Sequence, residues 1–591
     1  MAPRRPPARA RSGAGRHPSR RPPKPPARRL VALLVTLLLA MAAIVVRLTF
    51  LQVKDASAFE ALAHNQRVRT IALPPSRGTI FDRNGDELAM SLPAKAVYAD
   101  PHLVRDPAAE APIVAQALGL DEAKVQAQLG GAGGFVYIAH GVDAKLAAKL
   151  EARKLRGIGF LDESRRYYPA DSLAPQVLGF VGLDGTGLAG LELQYQSLLA
   201  GRAGRQVVEE DPTGILIPQA AGSDQPPVPG DDLLLTIDRD IQYRAQQALI
   251  SAVKANHAKG GTVIVLNPHT GEILAMASYP WFDPNHFAQA DPRAVTNRAV
   301  TDAYEPGSVN KVITASAALE EHILKLNTRL MVPDHYQLYT KTFHDAEPHP
   351  TERMTIGDII AYSSNIGAIM TAHLLGTDRF ASYLYRFGLA HRTGIDFPGE
   401  SAGILPPVAQ WSGTSMGTIP IGQGIAVTPL QMACVYATIA NGGVWVQPRL
   451  VQGTVGPDGR IIESPAPEAR RVISDQTAGE VARLLGYGVD VGTGVQAQIP
   501  GYWVAGKTGT ARKVNAKGTG YSNNYVASFI GFTPASRPEF VVAAVIDEPA
   551  TVFGGIAAAP LFRDVARFAL ARLRIPPAAP LAIPPHAVRI G

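Results

Sequence analysis

Cysteine is nearly absent. The 591 residues hold one, Cys434, which excludes a disulfide framework within the chain and any thiolate-bound metal cluster. A single thiol suits a cytosolic protein and equally an exported one that avoids disulfide chemistry. Charge is sparse as well, at 18% against 46% apolar residues, so a sizeable core can form and global disorder is excluded. Acidic residues are missing from positions 1–29, where ten of the 57 Lys and Arg lie. Beyond residue 29 stand 47 basic and 50 acidic residues, which leaves the body of the chain without the basic footprint of a nucleic-acid binder.

Long apolar runs are missing too, with one exception. Leu30–Val46 is seventeen residues without a charge, followed by Arg47 and a further apolar stretch. Residues 30–51 are long enough to cross a bilayer, with Arg47 snorkelling to the far interface. The ten cations before the span put the N-terminus in the cytoplasm and everything after about residue 52 outside it. The competing reading is a cleaved signal peptide, because Ala40-Met41-Ala42 has the small-x-small form. The apolar run, however, continues through Ile44-Val45-Val46, past that point. Phe540–Ile546 is only of strand length and ends at Asp547-Glu548.

A length of 591 residues suggests two to four domains. Eight prolines in the first 29 residues mark a disordered basic tail. Between 52 and 220 the patterns are mixed: a helix over 55–67, a turn-rich strand pair at 74–85, and helical periodicity at 108–130 and 142–155. Residues 221–232 have a linker's composition. From 233 to 575 strands are expected at 233–238, 261–266, 272–278, 502–510, 526–532 and 540–546. Helices are expected at 241–258 and 558–573, with a helix-rich middle from 309 to about 440. Strands at both ends with helices between predict an α/β (α+β) domain whose sheet mixes early and late segments. Residues 576–591 form a Pro-rich tail.

Three short motifs carry chemistry. In Glu305-Pro306-Gly307-Ser308-Val309-Asn310-Lys311, Pro-Gly makes a turn and Ser308 stands where a helix should begin, one turn from Lys311. Serine is a weak nucleophile at neutral pH, and a neutral lysine beside it could take its proton. That requires the lysine to lose about three pKa units through desolvation and a neighbouring cation. Ser-x-x-Lys alone says little, since Ser251-Ala-Val-Lys254 is a copy placed mid-helix. In Ser363-Ser364-Asn365, the serine could relay a proton and the asparagine amide could hold a substrate carbonyl; by itself an ordinary polar loop explains it as well. In Lys507-Thr508-Gly509-Thr510, Gly509 leaves room for a substrate backbone along a strand edge. Lys507 could attract a carboxylate and depress the pKa of a nearby lysine. A backbone N–H here and that of Ser308 could form an oxyanion hole. A phosphate-binding loop is excluded, because no G-x-x-x-x-G-K-[ST] pattern leads into a helix.

The ordered set, with gaps of 55 and 144 residues, resembles the motifs of penicillin-binding proteins and class A β-lactamases. Arg77-Gly78-Thr79-Ile80-Phe81-Asp82-Arg83-Asn84-Gly85, Arg166–Pro169, Gly190-Leu191-Glu192 and Gly201–Gly204 resemble the pedestal of class B penicillin-binding proteins. Tyr98–Pro101 resembles the division-specific, FtsI-type version. Gly271–Met276 and Gly422-Gln423-Gly424 with Val427–Gln431 extend the likeness over roughly 30–575. The resemblance implies one transmembrane anchor, an elongated mixed pedestal, and a transpeptidase domain with an antiparallel sheet flanked by helices. It implies a D,D-transpeptidase that cross-links peptidoglycan stem peptides: Ser308 as nucleophile, Lys311 as base, Ser363 and Asn365 assisting, Lys507, Thr508 and Gly509 binding the donor, and Thr510 N–H joining Ser308 N–H in the oxyanion hole. β-Lactams would acylate Ser308, and no cofactor or metal is implied. The implied partners are a SEDS-family glycosyltransferase and other division proteins in the same membrane.

An elongation enzyme is the nearest alternative, and motifs separate it poorly from division. A β-lactam sensor fits badly with one span and a large pedestal, and a vestigial scaffold fits badly with intact motifs. A β-lactamase would need a water-activating base that does not stand out. Arg77, Asp82 and Arg83 read as ion-pair braces of the pedestal. His344-Asp345 suggests a triad, but the nucleophile already has its lysine.

Overall fold

The computed structural model describes residues 27–54, 68–209, 225–515, 517–518 and 520–577. The helix expected at 55–67, most of both tails and the segment 210–224 lie outside these. The chain divides into two units, residues 1–71 with 205–224, and residues 72–204 with 225–591. In the first, helix Ala27–Thr49 buries none of its side chains. Its stretch Ala27–Gln52 is long and apolar enough to cross a membrane, in line with the expected span 30–51.

Among the described residues the second unit carries two large sheets and three two-stranded ones. The larger one runs in the order Ile461–Glu463, Val451–Val455, Asp232–Leu235, Ile80–Phe81, Glu87–Ala99, Val136–Asp143, with Ile158–Tyr167 also pairing Glu87–Ala99. The Arg77–Gly85 segment is a single short strand, Ile80–Phe81, answered by Glu87–Ala99. Asp82 closes the turn between them, accepting from Asn84 N and Asp86 N. The helical periodicity beyond breaks into Pro107–Leu118, Glu122–Leu129 and Ala144–Glu151. The first stops at Gly119, whose φ of 66° is left-handed, a conformation glycine adopts without strain. Composition read 221–232 as linker. Its described part is built in, since Val228 bridges Arg202 and Asp232 opens the strand that pairs with Ile80–Phe81.

The second sheet is antiparallel, in the order Ala505–Val514, Tyr521–Thr533, Phe540–Asp547, Gly260–Leu266, Ile273–Tyr279. Early and late strands mix as expected, with Val541 opposite Leu266. Helices Arg239–Ala255 and Ala559–Arg572 pack one face, against Val263, Val265, Val542 and Ala544. Lys311–Glu320 and Pro429–Ala440 pack the other, against Ile264, Leu266, Val541 and Ala543. Covered on both faces, strand Phe540–Asp547 is buried throughout, so its sequence is an unbroken apolar run rather than an alternation. Thr428 caps Pro429–Ala440 with a capping box to Gln431, and Pro429 sits at the first helical position. The strand expected at 502–510 starts at Ala505 and runs on to Val514, because Lys507–Arg512 pair continuously with Tyr525–Ile530. That strand is the sheet's edge.

Candidate active site

The nucleophile candidate sits on a tight turn. Gly307–Asn310 form a single 3-10 turn and the α-helix starts only at Lys311. Ser308 therefore caps nothing; Pro306 holds the cap position and no side chain caps the turn. Gly307 N donates to Gly422 O. The turn leaves no space at Gly422, where φ is +76° and a Cβ would fall 2.2 Å from Gly307 O. The Gly422-Gln423-Gly424 segment is thus the floor beneath the serine, and Glu305 fastens it by accepting from Gly424 N at 2.8 Å.

Lys311 is one helical position beyond that turn and only 1% exposed. Its Nζ donates to Ser363 O at 2.5 Å, to Asn365 Oδ1 at 2.8 Å and to Ser363 Oγ at 3.3 Å. Among the described residues no hydrogen bond joins it to Ser308 Oγ; before substrate binds, such contacts are often long. Burial holds the Lys311 pKa down to about 7, opposed by the negative charge of Asp345.

Lys507 is 2% exposed, and its Nζ reaches Thr508 Oγ1 at 3.1 Å and Thr493 Oγ1 at 3.4 Å. Its pKa lies well below the usual lysine range, first through burial and then through the charge of Lys311. Burial lowers both lysines, and each ammonium disfavours the other across the site.

Ser363 has a left-handed φ of 63°, a costly conformation for serine. It is held because Ser364 caps helix Asn365–Leu375, accepting from Gly367 N. Asp345 braces the same helix start, accepting from Ser364 Oγ at 2.6 Å, Ile366 N at 3.0 Å and Asn365 N. Asn365 Nδ2 donates to His344 O, so its amide is already engaged at both ends. Gly509 lies where a Cβ would meet Ser528 Oγ at 2.3 Å and Pro306 O at 3.0 Å, which lets the edge strand lie against the serine turn.

Ser308, Ser363, Asn365, Thr508 and Thr510 open into one cavity of about 920 Å³. Its walls include an acidic segment with Asp345, Glu347 and Glu352 and a rim with Phe553 and Ile556. The sequence motifs gave no hint of Thr493, which hydrogen-bonds Thr508 Oγ1 at 2.7 Å, since it follows a helix in an unremarkable loop. His344-Asp345 does belong to the site, as a brace of the Ser363–Asn365 turn and not as a triad. Ser251 is exposed in the middle of a helix, as expected of a chance copy. The pedestal residues also act as braces, although Arg77 pairs with Glu192 rather than Asp82.

Residues 261–567 match the family model for the penicillin-binding protein transpeptidase domain, and residues 72–235 that for the penicillin-binding protein dimerisation domain. The chain belongs to the penicillin-binding protein transpeptidase family. It is 38% identical to penicillin-binding protein PbpB of Mycolicibacterium smegmatis over 92% of this chain and 90% of that one. It is 32% identical to peptidoglycan D,D-transpeptidase FtsI of Escherichia coli, over 92% and 91%. Penicillin-binding protein 3 of Mycobacterium tuberculosis, solved in complex with ampicillin, superposes with a TM-score of 0.69 at 34% identity, covering 87% of this chain and 99% of that one.

Proposed function

We propose that the chain is a membrane-anchored, class B peptidoglycan D,D-transpeptidase acting in septal wall synthesis. The observation that carries this is a fully buried Lys311 whose pKa sits near neutrality, one turn from Ser308 and bonded to Ser363 and Asn365. Such a lysine can be an amine at working pH and accept the serine proton. Ser308 Oγ attacks the penultimate D-Ala carbonyl of a donor stem, and its proton passes to Lys311. Thr510 N–H and Ser308 N–H stabilise the oxyanion. Collapse returns the proton to the nitrogen of the terminal D-Ala, with Ser363 as relay, and the ester to Ser308 remains. The amine of a second stem then attacks that ester, gives up its proton by the same route, and releases the cross-linked product. Lys507, Thr508 and Gly509 bind the donor along the edge strand, and Asn365 holds a substrate amide by exchanging its bond to His344 O.

β-Lactams acylate Ser308 because they present the same carbonyl. In our reading 52–220 is the pedestal, 221–232 the joint and 233–575 the catalytic domain. The basic tail lies in the cytoplasm and the catalytic domain outside. Support for a septal role comes from the FtsI likeness. A SEDS-family glycosyltransferase and other division proteins are the partners this role requires. The test is cross-linking of newly polymerised lipid-linked precursor by the full-length chain beside such a glycosyltransferase. Cross-linked stems should form with wild type and disappear with Ser308→Ala; cross-links at the wild-type rate in Ser308→Ala would contradict the assignment.

A further inference from the structure

Asp345 receives more than the helix start. His349 Nε2 lies 3.1 Å from Asp345 Oδ2, and its Nδ1 lies 2.7 Å from Pro350 O. Both ring nitrogens thus face oxygen acceptors. A neutral imidazole has one N–H and would set a lone pair against one of those oxygens, whereas the imidazolium satisfies both. The pair is sheltered, with side chains 14% and 8% exposed. His349 N is itself tied to Asp334 Oδ1.

We propose that His349, carried as an imidazolium between these two acceptors, is a positioning residue of the acylation step, acting through Asp345 on the Ser363–Asn365 turn and on the charge state of Lys311. Two consequences of geometry meet at Asp345. Its oxygens hold Ser364, Asn365 and Ile366, which sets the left-handed turn that presents Ser363 and Asn365 to Lys311 Nζ. Its negative charge also favours the ammonium form of Lys311, opposing the desolvation that makes an amine available. A cation on Asp345 cancels part of that charge without disturbing the three backbone and hydroxyl bonds. Burial opposes the charged form of His349, and Pro350 O, Asp345 and Glu352 favour it; Asp334 accepts its backbone N–H, and Glu347 lines the same loop. Lys311 faces Lys507, Ser363 and Asn365.

The inference rests on Lys311 as the proton acceptor. Its test is the second-order rate of acylation of the full-length chain in detergent by a fluorescent penicillin from pH 5 to 10, for wild type, His349→Gln, His349→Arg and Asp345→Asn. His349→Gln keeps a hydrogen bond to Asp345 but no charge. Its acid limb should move up by about one pH unit, a roughly fivefold loss near pH 7 that approaches about tenfold at lower pH and vanishes at high pH. His349→Arg should restore the limb. Asp345→Asn should move it below wild type, at a lower plateau. A folded His349→Gln whose profile parallels wild type overturns the proposal. Should that variant not fold, an Asp345→Asn limb at the wild-type midpoint overturns it equally. If wild type is acylated with no acid limb between pH 6 and 8, the reading of Lys311 fails first, whereas a moved limb in the variants cannot arise from structural damage alone.

Discussion

Replacing Glu192 by glutamine tests how the pedestal is held. Its carboxylate is fully buried and accepts Arg77 Nε and Arg166 Nε at 2.6 Å each, one on either oxygen. Those two side chains are 7% and 5% exposed, so neither can turn to water once the anion is gone. Glutamine keeps the volume but offers one acceptor oxygen where the carboxylate offered two, and its NH₂ then meets a guanidinium donor. Breaking a buried pair by removing one partner costs about 3–5 kcal/mol, against about 0–1 kcal/mol for an exposed one. Arg77 keeps bonds to Gly185 O, Gln196 Oε1 and Glu192 O, and Arg166 keeps Gly78 O. Those bonds put the expected loss at the lower end, about 3 kcal/mol. The assay is urea unfolding of the full-length chain followed by circular dichroism, beside Asp564→Asn, which breaks an exposed pair with Arg244 and should change nothing measurable. A Glu192→Gln protein within about 1 kcal/mol of wild type would refute the reasoning, because that is the range of a solvated pair.

Three further outcomes follow, two of them from the site. Lys311 has a folded pKa near 7 against 10.5 unfolded, so the unfolded chain binds the extra proton between those values and stability rises with pH across that window. Lys311→Met should therefore stabilise the protein at pH 6 by roughly 1–3 kcal/mol while abolishing acylation, with the gain fading toward pH 10; an unchanged or lower stability at pH 6 would count against a desolvated lysine. Gly509→Ala puts a methyl 2.3 Å from Ser528 Oγ and 3.0 Å from Pro306 O, and should slow penicillin acylation about 10- to 100-fold by shifting the Ser308 turn, while secondary structure by circular dichroism is unchanged. Cys434 is fully buried and its thiol pKa is pushed far up by burial; Ellman's reagent should find no reactive thiol in the native chain and one after denaturation.

Strands and helices with strong periods were legible in the sequence, and so were the three motifs. The sheet with its faces covered declared itself through apolar strands such as Phe540–Asp547. Long-range assembly was not legible. Nothing in the chain spacing says that Glu192 lies between Arg77 and Arg166, 115 and 26 residues away. The Pro-Pro-Val-Pro run around 226–229 reads as a linker by composition, yet Val228 pairs with Arg202 because the chain there lies against the pedestal. Within the site, Ser308, Lys311, Ser363, Asn365 and Lys507 through Thr510 converge as the motifs suggested. That the lysine must be desolvated follows from its chemistry, but the degree of burial that achieves it is a property of packing and cannot be read from the spacing of the motifs. Asp345 stood out only as half of a His-Asp pair, and its bracing role and His349 escaped, because a helix start can be braced by any nearby carboxylate and that partner is chosen by the fold.

The most direct measurement is the site of covalent attachment of ampicillin to the full-length chain, by intact mass and peptide mass spectrometry, for wild type, Ser308→Ala and Ser251→Ala. The account predicts one penicilloyl adduct per chain, on the peptide carrying Ser308, lost in Ser308→Ala and kept in Ser251→Ala. An adduct that persists in Ser308→Ala, or that maps to another residue in wild type, would contradict it.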